Sequence, residues 1–226
     1  VNTNPEYSKM IKRQIEMCYN GIELVENPVD MVQGATGKII LTVSNMGSKI
    51  NSRYDDHSPV IAADESVLIF TSKREGSSGN HKNFDGQYYE DIYISYNKDG
   101  MWTEPVSIGE NINTRGHEAT IGLSSDGQEL FTYRDDNGDG NIYVSRLDGA
   151  EWTVPEKLGQ MINTKARETH ASIAPDGSVL YFTSDRKGGY GGLDIYYVRR
   201  FPNGKWGLAK NLGPTVNTEY DEEGPF

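Results

Sequence analysis

The sequence has one cysteine, no long hydrophobic run and no cluster of basic residues, and each shortage removes a class of protein. Cys18 stands alone, so no intrachain disulfide can form, and its helical surroundings suit a packed thiol better than a nucleophile. No stretch approaches the roughly 20 apolar residues of a membrane-spanning helix. Lys and Arg number 22 against 33 Asp and Glu, a formal net charge of -11. A phosphate backbone requires clustered positive charge, so nucleic acid is excluded as a partner. Asp185-Arg186-Lys187 lacks the strand, G-x4-G-K-[ST], helix order of a phosphate-binding loop, and no G-x-S-x-G elbow marks a hydrolase nucleophile.

Turn and strand residues are abundant instead. The 25 Gly and 14 Tyr, with only 35% hydrophobic residues, describe a β-rich chain. Self-similarity organises it. GSKINSRYDDHSPVIAADESVLIF from Gly47, GENINTRGHEATIGLSSDGQELF from Gly109 and GQMINTKARETHASIAPDGSVLYF from Gly159 are copies of one unit, and a fourth opens at Gly213. Asn51 to Asp64, Asn113 to Asp126 and Asn163 to Asp176 each span 13 residues. Trp102 to Asn113, Trp152 to Asn163 and Trp206 to Asn217 each span 11.

Each unit holds four strand candidates separated by turns. In the third they are HASIAP, SVLYFTSD, DIYYVRR and WGLAKNLG, with Pro175-Asp176-Gly177 as the first hairpin turn. Repeats of about 50 residues with four strands predict an all-β protein, a β-propeller of four-stranded blades. The first unit is longer because its second turn grows into KREGSSGNHKNFDGQYYE, a polar surface insertion. Residues 1–37 read as a helical lead-in with a linker, because Tyr7, Ile11, Ile15, Cys18, Tyr19 and Ile22 fall near one helical stripe. Residues 38–226 read as the propeller, opening on a latch strand, KIILTVSN. Three complete blades, a latch strand and the start of another fall short of a ring, so the propeller is expected to be incomplete at the C-terminus.

The units resemble the TolB-like or PD40 (WD40-like) β-propeller repeat through APDGSVLYFTSDR, GGYGGLDIYYV and GKWGLAKNLGPTVNTEYDEEGPF. The combination of GG-x-GG-LDIY, W-x5-LG and INT is similar to the propellers of large OmpA-family envelope proteins of Bacteroidota. The resemblance implies a preceding tetratricopeptide segment, whose closing helix Tyr7 to Pro28 resembles, and a following OmpA-like domain that binds peptidoglycan. One relative is a periplasmic component of type IX secretion. The implied role is a periplasmic or outer-membrane-associated scaffold whose partners are envelope proteins or peptides, with peptidoglycan reached through a region outside this chain.

Several constellations invite a chemical reading. An acid recurs five positions after each corner Asn: Asp56, Glu118, Glu168 and Glu222. These carboxylates either ring the channel mouth, ready for a cation or basic peptide, or accept backbone N–H bonds that lock the blades. Recurrence in every copy favours the lock. Asp55, His57, His117, Arg167 and His170 differ between copies and so suit partner specificity better. The three histidines occupy different repeat positions, which argues against a shared metal. Asp135, Asn137 and Asp139 alternate as in a calcium loop, but position twelve is Arg146 where a bidentate Glu belongs, so a hairpin turn is favoured. Trp102, Trp152 and Trp206 repeat too strictly for sugar platforms and are expected between blades. No cofactor is expected. The reading is a non-catalytic binding or scaffolding propeller; the alternative is a propeller hydrolase acting on glycans or peptides, which would gather blade-specific acids in a deep pocket.

Overall fold

The computed structural model describes residues 44–135 and 138–226. The chain divides into two compact units, Val1–Asn45 and Met46–Phe226. The helical lead-in and nearly all of the latch strand therefore lie outside the described residues.

Met46–Phe226 forms three consecutive antiparallel β-propeller blades. Blade 1 contains β1 (Asp56–Ile61), β2 (Val67–Ser72), β3 (Asp91–Lys98), β4 (Met101–Trp102) and β5 (Val106–Ser107). Blade 2 contains β6 (Ala119–Leu123), β7 (Glu129–Arg134), β8 (Asn141–Asp148), β9 (Glu151–Trp152) and β10 (Glu156–Lys157). Blade 3 contains β11 (Glu168–Ile173), β12 (Val179–Ser184), β13 (Asp194–Arg199) and β14 (Lys210–Asn211). Within each blade the strands pair in chain order, β4 and β9 flanking the outer end of β3 and β8. The outer strand is shorter than its sequence pattern suggests. It is split into two short pairings in every blade, with Pro105 and Pro155, which lack a ladder donor, at the break in blades 1 and 2 and Ala209 there in blade 3. In blade 3 only a single Arg200–Trp206 bridge precedes β14.

Strand alternation sends one face of each sheet to the preceding blade and the other to the next. Ile69, Ile92, Ile94 and Ile108 of blade 1 pack with Leu130 and Trp152 of blade 2. Phe131, Ile142 and Val144 of blade 2 pack with Leu180, Phe182 and Val198 of blade 3. Trp152 is thus buried between blades 1 and 2, and the half-buried Trp206 packs against the cluster between blades 2 and 3, while Trp102 packs against a cluster of its own blade.

The corner asparagines explain why INT recurs. Asn113 accepts from Ile92 N–H and donates to Ile92 C=O, both at 2.8 Å, extending the sheet where the outer strand has ended. Asn163 treats Ile142 in the same way, also at 2.8 Å, and Asn217 treats Ile195 at 2.8 and 3.0 Å. A side-chain amide matches a peptide unit in donor and acceptor, which no other residue at this corner except Gln could do.

Candidate functional site

The four recurring carboxylates are consumed at their own corners. Glu118 accepts from Thr114 N–H at 3.0 Å and from its hydroxyl at 2.5 Å. Glu168 accepts from Thr164 N–H at 3.0 Å and its hydroxyl at 2.9 Å, and Glu222 repeats both bonds with Thr218. Asp56, one methylene shorter, accepts from Ser52 N–H at 2.6 Å. Arg74 and Arg186 reinforce blades 1 and 3. Arg186 meets Glu168 at 3.2 Å, donates to Ile162 C=O and lies over the rings of Phe182 and Tyr196. Arg74 meets Asp56 at 2.8 Å and repeats the arrangement over Phe70 and Tyr93. Burial raises the Asp56 pKa, but hydrogen bonds from Ser72, Arg74 and Ser52 outweigh it and hold the carboxyl below its usual value. Glu118 and Glu168 are buried, and none of the four lines the axial groove.

The blade-specific residues form a charged rim. Asp55 pairs with Lys73 at 3.3 Å in blade 1, and Arg167 pairs with Asp185 at 2.9 Å in blade 3. These are the same repeat positions with the signs exchanged, so each pair neutralises itself. His57 and His117 converge on Glu90, at 3.5 and 3.3 Å, with Lys73 3.8 Å away. Tyr89 stacks on His117 with centroids 4.1 Å apart. The hydrogen bond from His57 holds the Glu90 pKa below its usual value against the effect of burial, with the charges of His117 and Lys73 adding to it. Sequence reasoning missed Glu90. Its signal was the insertion itself, since Gly140 and Leu193 occupy the matching positions in blades 2 and 3.

His170 stands apart from the other two histidines, on the groove wall. Its Nδ1 lies 3.0 Å from the Thr169 hydroxyl, and burial lowers its pKa. Of the calcium candidates, Asn137 lies outside the described residues. Asp135 accepts from Gly138 N–H at 2.5 Å and Asp139 from Asn141 Nδ2 at 2.9 Å, bonds internal to a turn. Among the described residues, no three His, Cys, Asp or Glu side chains gather as metal ligands.

The inner strands β1, β6 and β11, together with Gly224, Pro225 and Phe226 beyond the last corner, line an axial groove of about 320 Å³. Ser58, Val60, Ile61, Thr120, Ile121 and His170 face it. Each inner strand carries a bulge in its first half, between His57 and Val60 in β1, Thr120 and Gly122 in β6, and Glu168 and Ala171 in β11. A bulge re-aims side chains, and the bulged segments contribute Ser58, Pro59, Ile121 and His170 to the groove lining. Two contacts hold the walls together: Thr120 donates its hydroxyl to Ser58 C=O, and a Cβ on Gly122 would sit 2.7 Å from Ala171 C=O. The groove is an apolar trough with a few hydroxyls and one imidazole.

No family model matches the sequence, and no curated protein matches it. Solved structures do match. TolB from Acinetobacter baumannii is similar over 73% of this chain, with 23% identity and a TM-score of 0.49; the match covers 33% of that chain. The periplasmic gluconolactonase PpgL of Pseudomonas aeruginosa is similar over 64% of this chain and 39% of its own, at 14% identity and a TM-score of 0.40. Prolyl oligopeptidase B from Galerina marginata is similar over 70% of this chain and 21% of its own, at 14% identity and a TM-score of 0.40. The chain thus spans about a third of the length of TolB. No helix among the described residues is long and apolar enough to cross a membrane.

Proposed function

We propose that this chain is a non-catalytic binding module whose axial groove holds a segment of a partner polypeptide. The observation that carries the reading is the division of labour among its polar residues. Those repeated in every blade are spent on corners, and the groove keeps an apolar lining in which the buried Thr120 hydroxyl already holds Ser58 C=O and the His170 imidazole stands on the wall. Such a surface buries apolar side chains and aligns a few hydrogen bonds, which is what recognition of a peptide needs. Among the described residues its lining includes no carboxylate pair of the kind that hydrolysis of a glycosidic bond uses; the corner acids hold their own loops, and Glu223 lies close enough for its charge to act on His170. The likeness of the repeat to the OmpA-family propellers of Bacteroidota supports a periplasmic, envelope-associated setting. Contact with peptidoglycan and a type IX secretion context belong to the same proposal through that likeness alone.

Ile61 is the test position, since it faces the groove and is 46% exposed. Ile61→Arg places a charge in the trough without touching the core, whereas Val154→Arg alters an exposed outer edge. Capture of envelope polypeptides by immobilised protein is expected to fall at least about tenfold for Ile61→Arg, the loss of one well-packed contact. Val154→Arg is expected to leave capture unchanged. Equal capture by all three proteins would contradict the reading.

A further inference from the structure

The acid that opens the third strand is held differently in blades 1 and 3. Asp194 in blade 3 is fully buried and meets three donors: Tyr190 N–H at 2.7 Å, Gly191 N–H at 3.0 Å and Asn211 Nδ2 at 2.7 Å. Asn211 stands opposite Tyr196 in the β13–β14 ladder, and its carbonyl oxygen accepts from the corner Asn217 at 2.8 Å.

Blade 1 repeats this frame with one change. Ser107 stands opposite Tyr93 in the β3–β5 ladder, and its hydroxyl accepts from the corner Asn113 at 3.0 Å. Serine has no amide to send on to the acid, so the bond that Asn211 supplies in blade 3 has no counterpart. Asp91 is 1% exposed and is held by Ser78 alone, whose N–H reaches Oδ2 at 2.7 Å and whose side chain also bonds the carboxylate. Its Oδ1 has no hydrogen-bond partner among the described residues. Ser77, next to that donor and 4% exposed, also has a buried hydroxyl without a partner. Burial raises the Asp91 pKa, and the nearby Glu118 carboxylate adds to the effect.

We propose that blade 1 binds a small oxygen-seeking cation of the sodium or calcium type beside Asp91 Oδ1. Asp91 is the charged ligand, and the Ser77 and Ser107 hydroxyls, with water, supply neutral oxygens. A buried water would satisfy the stranded oxygens but leave the carboxylate charge uncompensated, whereas a cation answers both costs. Hard cations of this type accept carboxylate, hydroxyl and water ligands together. The site also ties the long insertion, through Ser77 and Ser78, to the start of β3.

The test is thermal unfolding of the chain at neutral pH in calcium chloride or sodium chloride, against choline chloride at equal ionic strength. At least one of the two metals is expected to raise Tm by about 5 °C at saturation. Asp91→Asn is expected to abolish the response. Ser107→Asn installs the amide that blade 3 already uses; it is expected to raise Tm without metal and to remove the metal response. The proposal is overturned if wild type unfolds alike in all three salts, or if Ser107→Asn keeps the full response. A Tm that rises with acid and ignores both metals also overturns it, in favour of a protonated Asp91.

Discussion

At the scale of single residues, position in the repeat decides what a charge does. Asp56, Glu118, Glu168 and Glu222 carry the same charge as Glu90, yet their oxygens are committed to the loop four residues back. Glu90 instead faces two histidines and a lysine contributed by different segments. Its native pKa lies below its ordinary value, so the ionised form favours the folded chain. That contribution is complete above the ordinary carboxylate pKa of about 4.3 and is lost as pH falls through the lower native value. Glu90→Gln is therefore expected to lower stability by about 1 kcal/mol at pH 7, a half-buried ion pair being worth little more. Urea unfolding should show the gap between variant and wild type narrowing as pH falls below about 4.3; a gap that keeps widening below that pH would contradict the assignment. Glu90 was not legible in advance because it has no counterpart in the other blades, and repetition was the signal that made the rest visible. The spacing placed Asp55 and Arg167 just ahead of the inner strands β1 and β11, but their sign-exchanged partners became evident only once strands were paired.

At the scale of the element, the strands were legible because each lies between turn residues and repeats three times. Two features were not. Pro105 and Pro155 were in plain view, but only the register shows that the outer strand breaks there, as it does at the matching Ala209 of blade 3. The bulges in β1, β6 and β11 leave no mark in composition, because an extra residue in a strand alters pairing and not type. The corner asparagine compensates for the short outer strand. Asn163 is buried and bonds Ile142 N–H, Ile142 C=O and Leu158 C=O, each at 2.8 Å. Asn163→Ala strands these groups away from water and is expected to cost about 3 kcal/mol. Chemical denaturation should show that loss, with Asn163→Asp recovering only the bond to Ile142 N–H. A loss below about 0.5 kcal/mol would mean that the corner is held by other contacts.

At the scale of the whole propeller unit, cohesion and recognition are assigned to different surfaces. Hydrophobic clusters bind blade to blade, and the Arg200–Glu129 pair, at 2.7 Å, fastens blade 3 to blade 2. The hydrogen bond from Arg200 and its charge hold the Glu129 pKa below its usual value against burial. The axial groove contributes only the Thr120–Ser58 bond and the close approach of Gly122 to Ala171 to cohesion, and the proposal assigns the rest of its lining to a partner. The central claim is tested most directly by a photo-reactive phenylalanine analogue placed at Ile61 in the groove, with the same analogue at the exposed Met101 on the outer edge as control. After irradiation in the cell envelope, the account predicts a discrete cross-linked polypeptide at position 61 and none at 101. The same cross-links at both positions, or none at 61, would contradict it.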